Sequence, residues 1–159
     1  MFTKSHIKQA KDFIKACEKQ NVRVATAESC TGGLIAALLT EIPGSSAVFE
    51  RGFVTYSNEA KQSLLGVSTH TLKQYGAVSE QVAKTMAEGA LKKSGAHMSI
   101  AVTGIAGPGG GTYTKPVGLV YIAVAIAKNK TIVEEHRFKG TRAQIRLDAV
   151  SAALKLATV

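Results

Sequence analysis

Residues 22–27 read Val22-Arg23-Val24-Ala25-Thr26-Ala27, and residues 28–33 continue as Glu28-Ser29-Cys30-Thr31-Gly32-Gly33, before the strongly apolar stretch 34–40. The first six residues are rich in β-branched and small apolar types, which is typical of a short strand. The next six are small and polar, and the stretch 34–40 has a helical pattern. A strand, a turn of small residues and a buried helix in succession form the unit that builds α/β sheets. We therefore predict an α/β fold.

The rest of the chain extends this alternation of strands and helices. Helices are predicted at 5–21, 58–65, 68–75, 79–93 and from 141 to near the C-terminus, and strands at 22–27, 48–56, 98–103, 117–127 and 131–138. No internal repeat, low-complexity tract or linker interrupts the pattern. We predict one α/β domain over residues 1–159 with a mixed sheet, whose strand order the sequence does not determine.

The chain is basic, with a formal net charge of +9 and a pI of about 9.7. Five lysines are spaced so that they share one stripe of the first predicted helix: Lys4, Lys8, Lys11, Lys15 and Lys19. No aromatic residue interleaves with them, as single-strand binding by base stacking would need. We interpret the stripe as a solvated face and predict no nucleic-acid partner. The alternative is a nucleic-acid footprint, which would give steeply salt-dependent affinity for a random duplex.

Other classes of protein are disfavoured by what the sequence lacks. No segment approaches the ~20 uninterrupted apolar residues of a membrane span, and the N-terminus has no apolar signal-peptide core. Cys17 and Cys30 form neither a CxxC pair nor a zinc spacing, and no two histidines have metal-ligand spacing. We predict free thiols, a cytoplasmic location, no membrane contact and no metal.

The turn 28–33 is a candidate catalytic segment. A hydroxyl at a tight strand-to-helix turn projects from the sheet, and the amides that follow point outward at the positive end of the helix. Ser29 is therefore a candidate nucleophile, with oxyanion donors from Thr31, Gly32 and Gly33. The simpler interpretation makes Ser29 or Thr31 a helix N-cap. The GxSxG spacing of the α/β-hydrolase elbow is absent.

A serine nucleophile needs a base, and none of the four histidines is an obvious choice. Lys61 is a better candidate, because it falls about one turn into the helix that begins near Asn58, just after Tyr56 ends a strand. A lysine acts as a base only where burial or a neighbouring cation lowers its pKa toward neutrality. Otherwise Lys61 is an ordinary solvated helix lysine.

The glycine-rich segment 104–111 follows a strand that the pattern predicts to be buried. It is neither a Walker loop nor a GxGxxG fingerprint that opens a helix. The lack of side chains at Gly104 and Gly107 lets backbone amides approach a ligand, for which an anion is a natural choice. Thr103 would place a hydroxyl at the strand end, and Arg142 at the start of the last helix would suit a phosphate. The alternatives are a flexible connection between two strands and an exposed arginine.

The CinA C-terminal family resembles this chain in five segments that occur in the same order: 27–33 (AESCTGG), 49–61 (FERGFVTYSNEAK), 76–80 (GAVSE), 103–108 (TGIAGP) and 115–118 (KPVG). The resemblance covers nearly the whole chain. It implies a three-layer α/β/α fold with a mixed, mostly parallel sheet. It also implies a cytoplasmic bacterial enzyme of pyridine-nucleotide recycling, which hydrolyses the carboxamide of nicotinamide mononucleotide to nicotinate mononucleotide and ammonia.

The resemblance further assigns roles to individual positions. It maps a serine nucleophile onto Ser29, supported by Tyr56 and Lys61, and associates Thr103 and Arg142 with the site. Neither a cofactor nor a metal is implied. Apolar strands and small-residue helices would suit a homo-oligomer, which we expect. Two alternatives stay open: a nucleotide-phosphate binding module without catalysis, and an enzyme whose nucleophile is Cys30.

Overall fold

The structure is a computed structural model that describes residues 1–159. The strands are β1 (Val24–Glu28), β2 (Phe49–Val54), β3 (Met98–Gly104), β4 (Leu119–Ile126) and β5 (Ile132–Arg137). The helices are α1 (Lys4–Lys19), α2 (Leu34–Thr40), α3 (Asn58–Leu65), α4 (Thr69–Tyr75), α5 (Glu80–Ser94) and α6 (Arg142–Leu156), with a short 3₁₀ turn at Ser45–Ala47.

The five strands form one mixed sheet in the order β2-β1-β3-β4-β5. β1 pairs in parallel with both β2 and β3, whereas β4 is antiparallel to β3 and β5 is antiparallel to β4. Four strands therefore run in one direction and only β4 is reversed. The predicted α/β fold with a mixed, mostly parallel sheet is confirmed.

Helices cover both faces of the sheet, which makes three layers. α1, α2 and α6 pack on one face with the larger side chains of the strands, whereas α5, flanked by α3 and α4, packs on the other. The alternation of side chains along β3 explains the division, because Ile100 and Val102 face α6 while Ala101 faces α5. The face under α5 is lined mainly by alanines, whose small side chains let that helix lie close to the sheet.

The helix bounds agree with the sequence patterns where a good cap is present. α2 and α3 span the predicted residues, and α4, α5 and α6 each begin one residue after the predicted start, with Ser68, Ser79 and Thr141 as their N-caps. α1 begins at Lys4, one residue before its predicted start. Thr3 caps it, in a reciprocal pair in which the Nδ1 atom of His6 accepts from the Thr3 amide. Histidine in the place of the usual glutamate conceals this capping box.

The topology brings three chain segments to one edge of the sheet. β1 lies between β2 and β3, so the chain passes from β1 to β2 on one side and then from β2 to β3 on the other side of β1. The place where the strand order reverses in this way is a topological switch point. Ligands in open α/β sheets bind at such points, outside the carboxyl ends of the strands. The segments 29–33, 55–57 and 105–111 follow β1, β2 and β3 and meet there.

Candidate active site

Ser29 is the first residue after β1, and its position is fixed by the neighbouring strand. Its amide donates to the carbonyl of Val102 in β3 at 2.9 Å. The side chain is 8% exposed, and its Oγ lies 3.0 Å from Nζ of Lys61, 32 positions later in the sequence. Ser29 therefore presents a nearly buried hydroxyl to a lysine amine at hydrogen-bonding distance.

Lys61 is only 1% exposed, in contrast to an ordinary helix lysine. It lies in the first turn of α3, where the Ser57 hydroxyl caps the helix by accepting from the Ala60 amide at 3.0 Å. Nζ also donates to the carbonyl oxygen of Thr55 at 2.9 Å, and Lys61 forms no ion pair with a carboxylate. Burial lowers the pKa of Lys61 below its usual 10.5, and only the neighbouring Cys30 thiol opposes this. The environment therefore favours the neutral amine.

A cavity of about 280 Å³ opens beside this pair. Its lining comprises Ser29, Cys30, Tyr56, Asn58, Lys61, Ala77, Val78, Thr103, Gly104, Ile105, Ala106, Gly107, Gly109, Gly110 and Arg142. Seven of the ten residues predicted to form the site are in this lining: Ser29, Tyr56, Lys61, Thr103, Gly104, Gly107 and Arg142. The structure therefore brings together residues from four separate parts of the chain.

Arg142 connects two walls of the cavity. Its guanidinium donates to the Tyr56 hydroxyl at 3.0 Å and to the carbonyl oxygen of Gly107 at 2.8 Å. Tyr56 itself is 62% exposed, so its ring forms part of the rim rather than of the floor. The Thr103 hydroxyl donates to the carbonyl of Ala77 at 2.8 Å and so ties the end of β3 to the turn before α5.

The glycine-rich loop offers several unpaired backbone donors. The amides of Ala106, Gly107, Gly109 and Gly110 donate no hydrogen bond within the chain, although all four residues line the cavity. Ala106 and Gly107 are buried, and a buried amide without an acceptor is costly unless a ligand or water supplies one. Together with Arg142, these donors make one side of the cavity suited to an anion.

Thr31, Gly32 and Gly33 do not line the cavity. Thr31 is completely buried, and the two glycines form the left-handed turn that leads into α2. The amides of Gly32 and Leu34 donate to the carbonyls of Ser29 and Thr31. In this segment, only the amides of Cys30, Thr31 and Gly33 donate no hydrogen bond within the chain.

Glu28 supports the turn that carries Ser29, a contribution that the sequence patterns did not single out. Its buried carboxylate accepts from the amides of Ile35 at 3.0 Å and Ala36 at 2.9 Å, and so caps α2 from outside the helix. The available signal was an acidic residue inside an otherwise apolar strand end, just before a helix that lacks a side-chain cap at Gly33. Arg146 was also missed; its guanidinium contacts the carbonyls of Cys30 and Thr31.

The alternative nucleophiles and bases are poorly placed. Cys30 lines the cavity but is buried, and burial raises the pKa of its thiol to about 12, which disfavours the reactive thiolate. No histidine lines the cavity. No group of three or more histidine, cysteine, aspartate or glutamate side chains could hold a metal ion. No helix of the structure is both long enough and apolar enough to cross a membrane.

The fold and the cavity define a three-layer α/β protein whose cavity lies at the switch point of a mixed sheet, with a buried serine and a buried lysine in its lining. The chain belongs to the CinA family, because the model of the CinA C-terminal domain matches residues 6–158.

Individual relatives agree with this assignment. The nicotinamide-nucleotide amidohydrolase PncC of Enterobacter agglomerans is 54% identical over 134 residues, which cover 84% of this chain and 82% of that protein. A CinA-like protein of Chlorobium phaeobacteroides is 52% identical over 142 residues, covering 87% of this chain and 34% of that protein. The chain spans about a third of the length of several such curated relatives. The crystal structure of the competence/damage inducible protein CihA from Agrobacterium tumefaciens superposes with a TM-score of 0.97 at 50% identity, covering 99% of this chain and 96% of that one.

Proposed function

We propose that the chain is an amidohydrolase that converts nicotinamide mononucleotide to nicotinate mononucleotide and ammonia. The observation that carries this proposal is the buried pair of Ser29 and Lys61, with Oγ and Nζ 3.0 Å apart beside a cavity. A nucleophile within hydrogen-bonding reach of a base is the arrangement that covalent acyl transfer requires. The substrate is proposed from the similarity to the nicotinamide-nucleotide amidohydrolase of Enterobacter agglomerans.

In the first half of the proposed reaction, the neutral amine of Lys61 removes the proton of the Ser29 hydroxyl as Oγ attacks the carboxamide carbon. The tetrahedral intermediate then collapses, its C–N bond breaks, and the proton passes from Lys61 to the departing nitrogen as ammonia forms. The product of this half is an ester between Ser29 and the nicotinoyl group. The pyridinium ring withdraws electrons from the carboxamide and so makes its carbon easier to attack.

In the second half, water attacks the ester carbon while Lys61 accepts a proton from it. Oγ of Ser29 leaves and regains its proton from Lys61, which restores the starting state. The sum is one carboxamide and one water converted to one carboxylic acid and one ammonia, with no redox change. No group other than the side chains at the cavity and water is needed for this balance.

The developing oxyanion requires backbone donors, and the structure limits the choice of amides. Glu28 occupies those of Ile35 and Ala36 in α2, so the start of that helix is not free to serve. We assign the role to the unpaired amide of Cys30, which lines the cavity beside the nucleophile. One such donor is often worth ~3 kcal/mol of transition-state stabilisation. Arg142 and the unpaired amides of the glycine-rich loop would hold the phosphate.

Replacement of the nucleophile tests the proposal. Ser29→Ala is expected to abolish ammonia release from nicotinamide mononucleotide while the unfolding transition stays cooperative, because the change removes only one oxygen. Cys30→Ala is expected to retain turnover. Full activity of Ser29→Ala would contradict the serine mechanism, and loss of activity in Cys30→Ala alone would favour a cysteine nucleophile. A wild-type protein that binds the nucleotide without releasing ammonia would indicate a binding module instead.

A further inference from the structure

Arg146 lies one helical turn beyond Arg142 in α6, and its guanidinium contacts the backbone of the Ser29 turn. Its Nε donates to the carbonyl oxygen of Cys30 at 3.0 Å, and its Nη2 donates to the carbonyl oxygen of Thr31 at 3.0 Å. The planar guanidinium suits this pair of acceptors, because its donors have a fixed geometry. Arg146 is absent from the cavity lining, so it does not contact a ligand held there.

The two carbonyls depend on Arg146 to different degrees. The carbonyl of Thr31 also accepts from the Leu34 amide, but that of Cys30 has no other donor within the chain. Arg146 therefore sets the orientation of the peptide group that joins Cys30 to Thr31. Because that peptide group includes the carbonyl of Cys30, the bond from Nε restrains the residue that directly follows Ser29 and lines the cavity.

The turn is built to accommodate this guanidinium at close range. Gly32 has φ of +57°, and a Cβ at that position would lie 3.3 Å from Nη2 of Arg146. A glycine at residue 32 thus satisfies both the left-handed backbone and the close approach of the arginine. The remaining restraints on the turn lie at its two ends, at Ser29 through Val102 and at α2 through Glu28. Arg146 is the side chain that restrains its middle.

We propose that Arg146 is a positioning residue, which holds the Ser29 turn so that the Ser29 hydroxyl and the unpaired Cys30 amide keep their places at the cavity. This inference rests on the proposed function. Preorganised donors stabilise a transition state because they need no rearrangement when charge develops. The positive charge of Arg146 behind the turn acts in the same direction.

The test compares Arg146→Lys and Arg146→Met with the wild type in ammonia release. Because small misplacements of reacting groups can cost about 10²-fold in rate, we expect kcat of Arg146→Met to fall on that order while KM changes little. Arg146→Lys keeps the charge but loses the planar fork, so its kcat is expected to be intermediate. Lys155→Met removes an exposed charge from the last turn of the same helix and is the matched control, with unchanged kcat.

A second measurement is independent of the natural substrate. A fluorophosphonate probe reacts when Oγ of Ser29 displaces fluoride at phosphorus and the hydroxyl proton passes to the base, and its labelling rate is expected to follow the same order as kcat. Thermal unfolding identifies any variant that fails to fold. If Arg146→Met fails to fold, the comparison of Arg146→Lys with the wild type provides the test. Unchanged kcat and labelling in both variants, or a rise in KM alone, would overturn the positioning role. A wild type that neither releases ammonia nor reacts with the probe would overturn the proposed function instead.

Discussion

Burial of the Lys61 amine is unfavourable for its charged form, and no carboxylate offsets that cost. Its two hydrogen-bond partners, the Ser29 hydroxyl and the Thr55 carbonyl, are neutral. Desolvation therefore lowers the pKa of Lys61 below 10.5, so that less free energy is needed to form the neutral amine, whose lone pair can accept a proton. The same surroundings that destabilise the ammonium group support the proposed use of the lysine as a base.

Activity is expected to depend on pH through Lys61. The neutral amine is the active form, so kcat/KM should rise with pH through the folded-state pKa of Lys61, on an acidic limb that lies below 10.5. Lys61→Arg should be inactive at every pH, because a guanidinium stays protonated. A pH profile of ammonia release measures both. An Arg variant with the wild-type profile would exclude Lys61 as the base.

The same shift in pKa gives a check that does not depend on turnover. Between the folded-state pKa of Lys61 and 10.5, the unfolded chain binds the additional proton, so the free energy of unfolding should rise with pH in that window. Lys61→Met lacks the titrating group and serves as the control. Urea unfolding of both proteins across this range should show a slope that is steeper in the wild type. Identical slopes would argue against a depressed pKa.

At the level of secondary structure, α2 is the element that fixes the nucleophile turn. It has only seven residues, and its N-cap position is Gly33, which has no side chain to accept a hydrogen bond from the first turn. The carboxylate of Glu28, at the end of β1, supplies the missing acceptors for two of its amides. The Glu28 carboxylate thereby joins β1, which precedes Ser29, to α2, which follows it. The same hydrogen bonds therefore stabilise this unit and restrain the geometry of the site.

Glu28→Gln is expected to lower the free energy of unfolding. The amide side chain keeps the shape of the carboxylate but has only one acceptor oxygen, so one buried backbone donor loses its partner, at a cost of about 1–3 kcal/mol. Urea denaturation measures the change. Glu59→Gln alters an exposed carboxylate in the first turn of α3 and should shift stability by no more than about 0.5 kcal/mol. Equal stabilities of the two variants would contradict the capping role.

Local sequence patterns predicted the secondary-structure elements better than they predicted the contacts between those elements. α3 has its predicted bounds, and local features fix both of its ends, since Ser57 caps it and Gly66 ends it in a left-handed conformation. The predicted strand 48–56 is longer than β2, which ends at Val54. The burial of Lys61 was not predictable, since most helix lysines are solvated. The contacts of Arg146 join residues more than 100 positions apart, and no local pattern reports such a pair.

At the scale of the whole molecule, basic residues in two of the helices have different surroundings. The five lysines of α1 are all exposed, as expected of a solvated face, and Lys8 pairs with Asp12 at 2.6 Å. Arg142 and Arg146 instead turn inward from α6 toward the cavity and the nucleophile turn. The absence of a nucleic-acid partner and the assembly into a homo-oligomer stay predictions.

We expect the Arg142 side of the cavity, which is proposed to bind the phosphate, and the Ser29 side to contribute separately to catalysis. Two substrates that differ only in the phosphate can separate the two contributions. Nicotinamide riboside lacks the phosphate, so the wild type should favour nicotinamide mononucleotide in kcat/KM. Arg142→Met removes charged hydrogen bonds worth about 1.5–3 kcal/mol each, and the preference should shrink accordingly, by roughly ten- to a hundredfold at 1.4 kcal/mol per factor of ten.

Arg142 also holds the Tyr56 hydroxyl, but loss of that contact affects both substrates and cancels in the ratio. Tyr56→Phe is therefore the matched control, in which the ratio should stay at the wild-type value. If Arg142→Met left the ratio of the two kcat/KM values unchanged, the proposal that Arg142 binds the phosphate would be wrong.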